Sequence, residues 1–139
     1  MSTTALFRLE VYPTQRAALE ALAGEDRVRE PVRGASERLR AEDVGAVTVI
    51  RPPGAWGMSW EMQEEIAEEI KGLVRERGRH RLVLDLAEVP AGHSGFVTAL
   101  IGVGRAVAAA NGTLALCGLS EAMAEVLRVC ALPMEEHGT

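Results

Sequence analysis

The chain has 139 residues, with 15 basic against 20 acidic side chains and a formal charge of −5. Its 47% apolar content supplies a hydrophobic core for one domain. The mild acidity, with no basic cluster interleaved with aromatics, speaks against nucleic-acid binding. No apolar run approaches the ~18 residues of a membrane span, and the start MSTTALFRLEVY lacks the basic head and apolar centre of a secretory leader. A cytoplasmic protein is therefore expected.

Residues 1–36 are read as an N-terminal extension of uncertain order. Leu6, Leu9 and Val11 suit a strand, and residues 14–22 suit a short helix with Leu19 and Leu22 on one side. The charged stretch GEDRVREPVRGAS, broken by Pro31 and Gly34, reads as a solvated linker.

A hairpin is expected over residues 39–51, with its turn at Glu42-Asp43-Val44-Gly45 and a β-branched strand at 46–50. Pro52, Pro53 and Gly54 stop it, and Ser59 is placed to cap a helix. Met62, Ile66, Ile70 and Leu73, with Val74 beside the last, draw one apolar helix face that ends at Gly78.

Leu82, Val83, Leu84 and Leu86 form a nearly continuous apolar run around Asp85, the pattern of a strand covered on both faces. Pro90, Gly92 and Gly95 then break regular structure. A second helix is expected from Ser94 to about residue 110, stopped by Asn111-Gly112. Thr113 to Cys117 is a further buried strand. Ser120 caps a third helix whose apolar side is Ala122, Met123, Val126, Leu127 and Cys130, and Pro133 ends it. The tail EEHGT is expected to fray. Strands separated by single helices imply right-handed crossovers and a mainly parallel sheet.

Ser94 is the residue of most chemical interest. A helix start offers unpaired N–H groups and partial positive charge, so a hydroxyl there can cap the helix or carry phosphate. Asp85, His93 and Ser94 include the residue types of a hydrolase triad. Adjacent His and Ser side chains diverge, however, and no Gly-x-Ser-x-Gly elbow is present, so an enzyme is not expected. Cys117 and Cys130 form no CxxC pair and have no His at ligand spacing. Both are read as reduced core residues, and neither a metal nor another cofactor is expected.

Two tryptophans, Trp56 and Trp60, flank the glycine-rich stop before the first long helix. They are read as core covers or as aromatic anchors for a partner. That helix carries Glu61, Glu64, Glu65, Glu68 and Glu69. The run is either a solvated face or an acidic docking ridge for a basic partner, with Glu64 and Glu68 central to it and Lys71 and Arg75 balancing its far end.

From about residue 39 to 132 the chain resembles the STAS domain, the sulfate-transporter and anti-sigma-factor-antagonist family. Asp85-Leu86 matches the Asp-Leu pair that closes a strand, and Val89 the apolar residue of the spacer. His93-Ser94-Gly95-Phe96 stands where that family has Asp-Ser-Ser-Gly, and residues 114–119, LALCGL, match the next strand and turn. The resemblance implies a STAS-type α/β sandwich over residues 37–137, with a mixed four- or five-stranded sheet and helices mainly on one face. It implies Ser94 as a phosphoacceptor with Asp85, His93 and Gly95 as its neighbours. The implied partners are a GHKL-type anti-sigma factor or serine kinase with a PPM-type phosphatase, or else other STAS proteins, with homodimerisation open. His93 departs from the family's aspartate. A STAS scaffold without phosphorylation, in a sensory complex or beside a transporter, is the second reading.

Overall fold

The computed structural model of the chain describes residues 7–25, 28–57, 60–78, 80–89, 94–130 and 132–138. Seven strands form one mixed sheet: β1 (Leu9–Tyr12), β2 (Arg29–Pro31), β3 (Glu42–Val44), β4 (Val47–Ile50), β5 (Arg81–Asp85), β6 (Thr113–Cys117) and β7 (Met134–Glu136). Four helices accompany them: α1 (Gln15–Leu22), α2 (Trp60–Arg77), α3 (Ser94–Ala109) and α4 (Glu121–Val129). The strand order is β2-β3-β4-β5-β6-β1-β7. From β4 to β7 all neighbours run parallel, and β2 and β3 add an antiparallel edge.

The mixed α/β sheet is as expected, but its strand count is seven rather than four or five. The two outer additions come from segments whose composition hides a strand. β1 pairs with β6 on one side and β7 on the other, and β2 pairs with β3 at the far edge. The expected linker thus contains β2, an exposed three-residue strand, as a charged, proline-bearing edge can be. The expected frayed tail, residues 135–139, begins inside β7. That strand is held by Leu9 N–H to Pro133 O and His137 N–H to Val11 O, each 2.8 Å.

The hairpin turn is also shifted. Glu42–Val44 is strand, and Gly45-Ala46 makes a two-residue turn with Gly45 at φ 60°. A glycine first in such a loop matches the right-handed twist of the two strands. Across the hairpin Thr48 is buried and donates from Oγ1 to Asp43 Oδ1 at 2.7 Å.

Strand alternation divides the core in two. Leu82, Leu84, Leu114 and Leu116 face α2, α3 and α4, meeting Ile66, Ile70, Phe96, Leu100, Val103, Met123 and Leu127. Val83, Ala115 and Cys117 face the other way, where α1 covers them with Ala18 and Leu19. Thr14 caps α1 by accepting from Ala17 N–H at 3.1 Å. Three helices therefore lie on one face and a short one on the other. The continuous apolar runs of β5 and β6 are those of strands covered twice.

Both ends of α4 depart from the expected burial. Met123 and Leu127 are buried, but Ala122 and Cys130 are exposed. The helix ends at Val129, so Cys130 falls on the cap, where the chain turns toward β7.

Candidate functional site

Ser94 is the first residue of α3. That helix follows β5, so its N-terminus lies beyond the carboxyl end of a central parallel strand, the edge where open α/β sheets carry their sites. The Ser94 side chain lies outside the described residues, as do His93 and the expected cap Ser59. The approach to Ser94 is described as far as Val89. Leu86 N–H donates to Cys117 O, and Val89 N–H donates to Leu86 O, both at 2.9 Å, and Leu86 and Val89 are fully buried.

Two loops meet beside this helix start. Gly54 lies so close to the next crossing that a Cβ on it would sit 2.5 Å from the Glu88 carbonyl oxygen. Glycine is the residue that allows this contact. Just beyond it Trp56 is 0% exposed. Its indole N–H donates to the Gln63 carbonyl at 3.1 Å, and its ring meets Phe96 edge-on, 4.9 Å between centroids. The expectation of Trp56 as a partner contact is therefore corrected. Its polar atom is satisfied and its ring fills the seam between α2 and the start of α3.

Trp60 is the opposite case. As the first residue of α2 it is 64% exposed. It lines a groove of about 250 Å³ between α2 and α3, floored by Ala67, Gly95 and Ala99 and walled by Glu64 and Glu68. Of the residues the sequence singled out, the structure brings Trp60, Glu64, Glu68 and Gly95 together, and Gly95 directly follows Ser94.

Asp85 is placed elsewhere. Its side chain belongs to the α1 face of the sheet, where Oδ2 accepts from Gln15 Nε2 at 2.8 Å and Oδ1 accepts from Ala87 N–H at 3.1 Å. It shapes the turn after β5 through that bond to Ala87. Sequence reasoning missed Gln15, although a carboxylate in an otherwise apolar buried strand signals that some donor must face it.

Two arginines at this edge pair with nearby carboxylates. Arg40, held at φ 46°, bonds Glu88 at 2.8 Å, and that hydrogen bond holds the Glu88 carboxyl below its ordinary value. Arg38 reaches α2, with Nε 3.0 Å from Glu69 and Nη1 3.2 Å from Glu65. The bond to Glu69 raises the Arg38 guanidinium above its usual range. Among the described residues no three His, Cys, Asp or Glu side chains gather as a metal site would need. No described helix is long and apolar enough to cross a membrane.

The family model of the STAS domain matches residues 38–136. The chain belongs to the STAS domain family. The solved protein TM1081, studied by NMR, shares 16% identity with this STAS protein at a TM-score of 0.60, over 84% of this chain and 90% of that one. That likeness is one of fold. A search of curated proteins returned no match. β1, α1 and β2 all precede the matched residues, so this STAS protein builds a segment outside the family match into its sheet and onto its second face.

Proposed function

We propose that this STAS protein is a regulator of the anti-sigma-factor-antagonist kind, acting through phosphorylation-controlled binding to another protein. Ser94 is the phosphoacceptor and the groove between α2 and α3 is the neighbouring contact surface. The observation that carries this reading is the position of Ser94 at the first turn of α3, next to Gly95 in the floor of that groove. Amides and dipole at a helix start accommodate an added phosphate, so the fold survives modification. A partner surface that meets Ser94 with apolar or acidic groups does not survive it, because nearly two negative charges enter the contact. The switch then needs no large conformational change.

Partners of this kind are a GHKL-type anti-sigma factor or serine kinase, with a PPM-type phosphatase to restore the hydroxyl. Trp60, Glu64 and Glu68 are the contact residues, and Gly95 lets the partner approach the helix start. The protein is a binding module of the cytoplasm rather than an enzyme.

The test is incubation with GHKL kinases encoded near this gene, followed by mass spectrometry of the tryptic peptides. Phosphate on Ser94, absent from Ser94→Ala, is the expected result. A Ser94 that stays unmodified with every such kinase removes the switch. It leaves the scaffold reading, which the replacement of the family's aspartate by His93 favours.

A further inference from the structure

The two tryptophans differ in a way that points to a ligand. Trp56 is sealed in the core, whereas Trp60, four residues on, presents its ring to solvent. A lone exposed apolar side chain needs no explanation, but one that walls a groove does. Glu64 lies one turn further along α2 and lines the same groove, so ring and carboxylate share one helix face.

The charges of α2 are unevenly answered. Glu65 and Glu69 take Arg38, and Glu68 takes Lys71 at 3.1 Å and Arg75 at 3.6 Å. Among the described residues no ion pair reaches Glu64. Within one groove, then, the carboxylate at the far end already holds a cation, and the one beside Trp60 does not. The floor between them is Ala67, Gly95 and Ala99, with no bulk to fill the space.

Occupants can be sorted by chemistry. An anion meets Glu64 and Glu68, and Lys71, which also lines the groove, is already held by Glu68. A purely apolar side chain covers the floor but strips water from Glu64 without replacing its hydrogen bonds. An ammonium answers the charge but keeps its water and does not stack flat. A guanidinium does both, because it is planar, weakly hydrated, stacks on indole and offers paired N–H donors to a carboxylate.

We propose that the α2–α3 groove seats an arginine side chain of the partner protein, its guanidinium stacked on Trp60 and paired with Glu64. This deepens the reading of the groove as a partner contact and rests on it. The seat lies on the α2 wall and is complete without phosphate on Ser94.

The test is NMR titration of the isotope-labelled full chain with argininamide, against lysinamide as a probe of equal charge. Saturable shifts are expected at the Trp60 indole N–H and the Gly95 and Thr98 amides, with argininamide bound at least about threefold more tightly. Glu64→Gln is expected to weaken argininamide roughly fivefold and erase the preference, while Glu61→Gln, equal in charge but outside the groove lining, changes binding less than about twofold. Equal binding of the two amides, shifts spread over the whole acidic surface, or equal effects of the two glutamate substitutions would each overturn the proposal. None of these readouts depends on kinase action. Argininamide binding by a chain that is never phosphorylated therefore removes the switch alone, and phosphorylation without this binding removes the arginine seat alone.

Discussion

Gln15 donates from Nε2 to Asp85 Oδ2 at 2.8 Å, joining the first turn of α1 to the end of the central strand β5. The same amide accepts from Arg29 at 2.9 Å through its oxygen, and Arg29 pairs with Glu42 at 2.7 Å. One chain of polar contacts thus ties β5, α1, β2 and β3 together on the second face of the sheet. Asp85 also receives Ala87 N–H, so this chain ends in the turn that leads toward Ser94.

Gln15→Ala is expected to lower stability by about 1–2 kcal/mol, because it leaves a half-buried carboxylate without its side-chain donor. Arg16→Ala, one residue on, removes only an exposed pair with Glu20 and should change stability by less than about 0.5 kcal/mol. Urea midpoints measure both. Hydrogen exchange at the Ala87 amide should quicken in Gln15→Ala alone. Equal midpoints for the two variants would show that the clamp adds nothing.

The tryptophans should separate cleanly in stability and in fluorescence. Trp56→Ala removes a fully buried ring and its edge contact with Phe96, so a loss of about 3–5 kcal/mol is expected. Trp60→Ala should stay within about 0.5 kcal/mol of the unaltered chain. The Trp60→Ala protein retains only Trp56, and its emission should be blue-shifted and resist iodide quenching. Strong quenching of that remaining ring would contradict its burial.

Much of this fold is legible in the sequence, for physical reasons that vary with the element. β5 and β6 announce themselves by apolar runs, and α2 by Ile66, Ile70 and Leu73, because burial on both faces or along one stripe leaves a periodic trace. β2 and β7 leave none. Their strand character comes from backbone pairing with β3 and β1, and Arg29–Pro31 and Met134–Glu136 have too little apolar content to signal it. β1 is readable as a strand, but not its place between β6 and β7, which depends on where a distant tail docks. At the site, helix arithmetic sets Trp60 on the stripe of Glu64 and so outside the core, whereas Trp56 precedes the helix and no period applies to it. Alternation along β5 also assigns Asp85 to the side of Val83, away from α3.

Phe7 and Gly104 form a pair whose energetics should change sign. A Cβ on Gly104 would lie 2.6 Å from the Phe7 ring, so Gly104→Ala forces the ring away and should cost about 1–3 kcal/mol. With Phe7→Ala the obstacle is gone, and the same change in mid-helix should be neutral or stabilise by up to about 1 kcal/mol through helix propensity. The double-mutant cycle in urea reads the coupling directly. Identical costs of Gly104→Ala in both backgrounds would show that the ring does not rest on this glycine.

The two thiols should differ in reactivity and in their pH signature. Cys117 is buried in β6 opposite Asp85 on β5, and burial first, then the Asp85 charge, pushes its thiol up to about 12 from an ordinary 9.0. Cys130 is exposed at the end of α4. At pH 8 a disulfide reagent should titrate one thiol quickly in the native protein and two in urea, and Cys130→Ser should abolish the fast one. The raised value also fixes a sign. Between about 9 and about 12 the unfolded chain has released a proton that the folded chain still holds, so stability attributable to Cys117 falls as pH rises through that window. Below it, both states hold the proton and the slope vanishes. Cys117→Ala should therefore flatten the alkaline limb of the stability curve while leaving its slope between pH 7 and 8 unchanged. An unaltered alkaline limb in that variant would mean that the thiol's burial carries no linkage.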